Sequence, residues 1–177
     1  MRHSQYTAIS RGLAMRHPDI RHSEEQLRFL RILISSDPLQ KQLDLSEFYN
    51  SLRNRLDLSD GSAAMISENY QADYDDNHGE FYAKYHHSAF LVLKYIDTSD
   101  YDARDKAIDA TERIGEELMG AFIYELEQLG LVITPADVMQ EAVGPIAGGF
   151  VGTRFNFMFR SSATQALTYN PDAFLPA

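Results

Sequence analysis

Cysteine is absent from the 177 residues. That excludes disulfides, thiolate metal sites and a cysteine nucleophile, and it fits synthesis in a reducing compartment. Long apolar runs are absent too, with nothing near the ~18 residues of a membrane span. The opening stretch, MRHSQYTAISRGLAMRH, has no apolar core of the kind a signal peptide carries, so no secretory leader is expected. Internal repeats and low-complexity tracts are missing. What remains is an ordinary folded composition, 44% hydrophobic and 24% charged, in a chain long enough to bury a real core.

Charge is unevenly placed. The net charge is −10, yet residues 1–57 hold nine Lys/Arg against seven Asp/Glu. The acidic excess therefore lies after residue 57, and that part should repel nucleic-acid phosphates rather than grip them. A plain solubilising role for these acids is the simpler reading.

The stretch 100–129 organises the chain. It contains no proline. Ile108, Thr111, Gly115, Leu118, Phe122, Leu126 and Leu129 recur at steps of three and four, which predicts one apolar stripe on one long helix. Asp105, Asp109, Glu112, Arg113, Glu116 and Glu117 fall largely on the other side. Thr98, Ser99 or Asp100 caps the start, and Gly130 takes the left-handed residue that ends it. Gly115 on the stripe predicts a close approach to a sheet.

Before this helix, the pattern predicts helices over 4–15, 23–35 and about 45–56. His17-Pro18 separates the first two and Asp37-Pro38 ends the second. Residues 58–63 read as a loop. Residues 65–74 fit either a strand or the end of a helical segment, and 75–79 read as a turn. From 80 to 96 the chain reads as strand, apolar on both faces near its end, with a bulge near His86 or His87. After the helix come a connector over 131–135, a strand over 138–143, and a turn bounded by Gly144-Pro145 and Gly148-Gly149. The clearest strand is 150–160, with Phe155, Phe157 and Phe159 on one face and Arg154, Asn156 and Met158 on the other. An extended tail is expected over 161–177. The fold class is α+β: an antiparallel or mixed sheet with one long helix packed on it. The domain reading is a helical N-terminal extension over 1–57, a core over 58–160 and a tail over 161–177.

No catalytic constellation emerges, and the chain is read as a non-enzyme without metal or cofactor. His86 and His87 are neighbours on a strand, so they point to opposite faces and cannot share one ion in regular geometry. Residues 73–84 fail the EF-hand spacing, with His78 where glycine and Lys84 where glutamate is needed. The glycines from Gly144 to Gly152 lead into a strand rather than opening a helix, and no Gly-Lys-Ser/Thr follows, so they read as a turn with close backbone approach. No Gly-x-Ser-x-Gly is present. Tyr70, Tyr74, Phe81, Tyr82 and Tyr85 interleave in a way that could stack bases, but beside so many acids they read as core or interface.

The segments AFLVLKYID, DYDARDKAIDATERIGEELMGAF and GGFVGTRFNFMFR give a strand pair, one crossing helix and a closing strand pair. That order resembles the tail terminator and tail-completion (neck) proteins of tailed bacteriophages. The resemblance covers about 65–160, and the helical first third departs from the shortest members, which begin with one helix. It implies a structural subunit of a homomeric ring, usually a hexamer, at the tail–head junction. It implies a virion protein made in the host cytoplasm, with itself and other tail or neck proteins as partners and no specific nucleic-acid or membrane binding. An acidic ring would let DNA pass without sticking, and the apolar tail would find its partner on a neighbouring subunit. Tyr169, Pro171, Phe174 and Leu175 are the candidate interface. The alternatives are an intracellular protein–protein interaction domain using the first third, or a ligand-binding α+β domain.

Overall fold

The computed structural model describes residues 1–35, 37–56, 58, 60–76 and 81–175. Helix α1 (His3–Arg16) leads to strand β1 (Phe29–Ile32), helix α2 (Pro38–Arg55), and strands β2 (Ala64–Glu68), β3 (Gln71–Asp75) and β4 (Ala83–Tyr95). Helix α3 (Tyr101–Glu127) follows, then β5 (Val132–Ile133), β6 (Met139–Ile146), β7 (Phe150–Ser162) and the single turn α4 (Thr164–Leu167). The chain is α+β, a seven-stranded mixed sheet with α3 lying on it.

Two long antiparallel strands form the centre. β4 and β7 stay in register from Ala83↔Ser162 to Tyr95↔Phe150 without a shift. The bulge expected at His86 or His87 is therefore absent. β2 takes the Phe90–Leu93 half of the free edge of β4, and β3 takes the Ala83–His87 half. The stretch 65–74 is thus mainly two strands, interrupted around 69–70. β6 and β5 divide the outer edge of β7 in the same way. β1 joins β2 in parallel, with α2 as the connection between them.

Both faces of this sheet are apolar, as the continuous run in β4 requires. On one face Phe90, Val92, Phe155, Phe157 and Phe159 meet α1 and α3 through Tyr6, Leu13, Ile114, Leu118 and Phe122. On the other, Ile66, Leu91, Leu93 and Phe150 meet Phe48 and Leu52 of α2. Gly115 is where α3 comes closest: a Cβ there would lie 2.0 Å from Phe155 Cε2, so any side chain would displace that ring.

Helix ends follow local chemistry. The Asp100 carboxylate accepts from Ala103 N at 3.0 Å and caps α3. At the other end Leu131 N donates to Leu126 O and Gly130 N to Glu127 O, both at 2.9 Å, with Gly130 at φ 69°. This is a Schellman closure, and the buried Leu126 and Leu131 share its hydrophobic contact. Leu129 is left exposed although it keeps the stripe's spacing, because the chain has already left the helix.

Five further expectations are corrected. The helix over 23–35 is not formed: Phe29 and Leu30 pair with Met65 and Ile66 and bury opposite faces of a strand. Ser23 does accept from Gln26 N, at 3.0 Å, but the bond only closes a turn. Asp37-Pro38 opens a helix rather than ending one. The Asp37 carboxylate accepts from Gln40 N at 2.9 Å, proline occupies the first helical turn, and the helix expected from 45 begins at 38. Gly144 and Pro145 lie inside β6 at a register shift, so the hairpin turn is 147–149 alone. The tail is not wholly extended, since it carries α4 and a 3₁₀ turn at Pro171–Ala173. The first third is neither all helical nor an extension: α1 sits in one core cluster, α2 in the other, and β1 contributes to both. The turn over 75–79 and the strand start at 80 fall largely on residues 77–80, outside the described residues.

Candidate functional site

α1 and α3 close one sheet face along its length. α2 covers only part of the other, and a half-open groove of about 800 Å³ remains beside it. Its floor is three cross-strand pairs on β4 and β7: His87↔Met158, Ala89↔Asn156 and Leu91↔Arg154. These are the residues that alternate with the buried phenylalanines, so strand geometry alone puts them on this face. Ala89 in the middle is small, which gives the groove depth. Lys41, Leu45, Phe48 and Tyr49 of α2 form one wall, with Ile32 and Ile34 beside them. Val143 and Ile146 of β6 stand opposite, and Asp137 lies at the rim.

A half-buried ion pair crosses the floor. Arg154 Nη2 lies 3.0 Å from Glu68 Oε2, with the side chains 33% and 14% exposed. Burial raises the Glu68 pKa, and the Arg154 guanidinium pulls the other way. Glu141 is a looser second partner, 3.8 Å from Arg154 Nη1. Arg154 Nε and Asn69 Oδ1 are buried without a hydrogen-bond partner among the described residues, and both residues line the groove. Apolar walls with a few convergent polar groups are the usual chemistry of a binding groove.

The predicted interface residues lie elsewhere. Tyr169, Pro171, Phe174 and Leu175 are all exposed, Tyr169 at 74% and Leu175 at 93%. The turn brings two of them together: the rings of Tyr169 and Phe174 stack at 5.7 Å. Asn170 Oδ1 accepts from Asp172 N at 3.1 Å and holds the turn. None of the four lines the groove. Glu68, Lys41 and Asn69 were not singled out from sequence, because their role depends on strands and a helix distant in the chain. Arg154 and Asn156 carried a signal: polar residues on the second face of a strand whose partner strand is apolar on both faces.

The remaining candidates resolve as structure. His86 is fully buried, stacked on Phe159 at 4.4 Å with its Nε2 2.9 Å from Ser161 Oγ, whereas His87 is exposed and bonded to Asp73 at 2.7 Å. The two do point to opposite faces. Gly152 sits where a Cβ would lie 1.9 Å from Val92 O, a close backbone approach inside the sheet. Tyr70 is core, packed on Tyr6 and His86, while Tyr74 and Phe81 are exposed. The α3 acids face outward, with Glu117 bonded to Arg113 and His17. No helix among the described residues is long and apolar enough to cross a membrane.

No protein-family model matches the chain, and no curated protein matches it.

Proposed function

We propose that this chain is a structural subunit of a phage or phage-like tail or neck assembly, closing a homomeric ring at the tail–head junction. One observation carries the reading: the segment after β7 holds Tyr169, Phe174 and Leu175 exposed, with no part of the chain's own core covering them. Exposed aromatic and aliphatic side chains of this kind mark protein-contact sites. A ring uses a head-to-tail interface, one patch meeting a different patch on the next copy, and such an interface suits a segment that projects from the domain. The strand pair, crossing helix and closing strand pair of β4, α3 and β7 support the terminator-like part of the reading. The acidic surface after residue 57 supports passage of DNA without retention.

Imaging of assembled particles with this chain labelled or deleted tests the proposal. A label at the tail–head junction, with deletion leaving tails malformed or unjoined, is the expected result. A label absent from that junction, or normal tails joined to heads after deletion, contradicts it. The groove favours a second reading, a ligand-binding or protein-interaction domain, whose signature would be a small molecule or a non-viral protein that raises Tm on binding.

A further inference from the structure

We propose that the groove between α2 and the β2–β4–β7 floor receives residues 169–175 of a second copy of this chain. The inference deepens the ring reading and rests on it for the identity of the partner. It names the two unlike patches that a head-to-tail contact requires.

The two halves are complementary in kind. The segment offers Tyr169, Phe174 and Leu175, which its own fold leaves uncovered. The groove offers about 800 Å³ walled by Leu45, Phe48, Val143 and Ile146, which its own fold leaves unfilled. That volume lies in the range that takes a few large side chains. The segment is almost without charge: Asp172 is the single charged side chain between 164 and 175 at neutral pH. Across the groove, Glu68 is bonded to Arg154; Lys41 on the α2 wall also acts on Glu68 but is exposed, and it is the cation placed to meet Asp172.

The start of the segment is pinned in place. Ala163 N donates to Tyr82 O at 2.8 Å, and Tyr82 N donates to Thr164 Oγ1 at 2.9 Å. Ala163 itself is buried. With that anchor, residues 169–175 stand outside the groove of their own chain. A neighbouring copy supplies the occupant, and its own segment passes to the next groove.

The test replaces Phe174 of the full chain with the photo-cross-linker p-benzoylphenylalanine. Isotopically heavy and light chains are mixed before irradiation. The expected product joins a heavy chain to a light one, with position 174 linked to peptides of α2 or of β7 around 154–158. Solution mass gives the second arm. Phe174→Ala should weaken self-association about thirtyfold, as loss of an anchor residue does. Asp172→Lys and Lys41→Glu should each weaken it about threefold to fivefold, and together restore it. Cross-links confined to one isotope overturn the proposal by placing the segment in its own groove. So do cross-links to the smaller α1–α3 pocket at Leu13 and Tyr124. A fully monomeric chain without cross-links, or one whose native mass includes a small molecule in place of a second copy, overturns it as well. Tail–groove exchange in dimers or open filaments keeps this inference while the ring reading fails. A ring cross-linked elsewhere does the reverse.

Discussion

The two faces of the sheet are built from the same two strands and end differently. On the α1–α3 face, β4 and β7 present phenylalanines to two helices, and rings stack without a break from Phe155 through Phe90 to Phe122. On the α2 face, the same strands present Leu91 and Phe150 at one end but His87, Met158 and Asn156 toward the other, and one helix covers only part of them. An apolar strand face needs a partner along its whole length to bury. The closed face has found its partner within the chain. The open face has not, and there the half-buried Glu68–Arg154 pair and the groove occur together. On this account the closed face carries the fold and the open face carries association.

The largest effect should come from the closed face. Phe157→Ala removes a fully packed ring that meets both Phe90 and Phe122 and should cost about 3–5 kcal/mol, read as a lowered denaturation midpoint. A melting curve like the parent's would mean that this face is not the stabilising one.

Acid should act on the closed face next. His86 lies on that face among Phe159 and Tyr70, with its pKa lowered to about 4, first by burial and then by Lys84, the amino terminus, His3 and His87. The folded chain thus holds His86 neutral, while the unfolded chain protonates near the ordinary value of 6.5. Stability is fully present above about pH 6.5 and is lost as pH falls toward 4, by about 3 kcal/mol from this group alone. Urea unfolding across that range should show the slope, and His86→Leu should flatten it. An unchanged slope in the variant would assign the acid sensitivity to other groups.

On the open face, Arg154→Met leaves Glu68 buried without its partner. Because Arg154 is one-third exposed, the cost should be only about 1–2 kcal/mol. With its pKa already raised, Glu68 regains a proton as pH falls, so the loss should shrink on acidification. Adding Glu68→Gln should recover most of it. A loss as large as that of Phe157→Ala would erase the contrast between the faces.

Much of the closed face was legible in the sequence, because it rests on periodicities inside single elements. The three- and four-step stripe from Thr111 to Leu126 located the long helix, and Gly115 located its approach to the sheet. Alternation over 150–160 assigned Phe155, Phe157 and Phe159 to one face. The first third was misread where tertiary pairing overrode spacing: Leu27, Leu30 and Ile34 fit a helix, yet the segment is a strand because β2 takes Phe29 and Leu30 into the sheet. Asp37-Pro38 misled for a local reason, since the same dipeptide that ends a helix also caps and opens one. The groove was illegible except for Arg154 and Asn156. Its members come from β1, α2, β2, β3, β4, β6 and β7, and only the folded chain brings them together. The exposed segment from Tyr169 to Leu175 was visible as apolar residues beyond the last strand, although its turn at 171–173 was not.

The smallest effect on stability should come from that segment, and it gives the sharpest test of the contrast. Deleting residues 169–177, with Tm and solution mass measured on the same full-length and shortened samples, separates folding from association. The account predicts a self-associating parent and a shortened chain that melts within about 0.5 kcal/mol of it, with its mass reduced to that of a single copy. A shortened chain that melts much lower while keeping the parent's mass would contradict it.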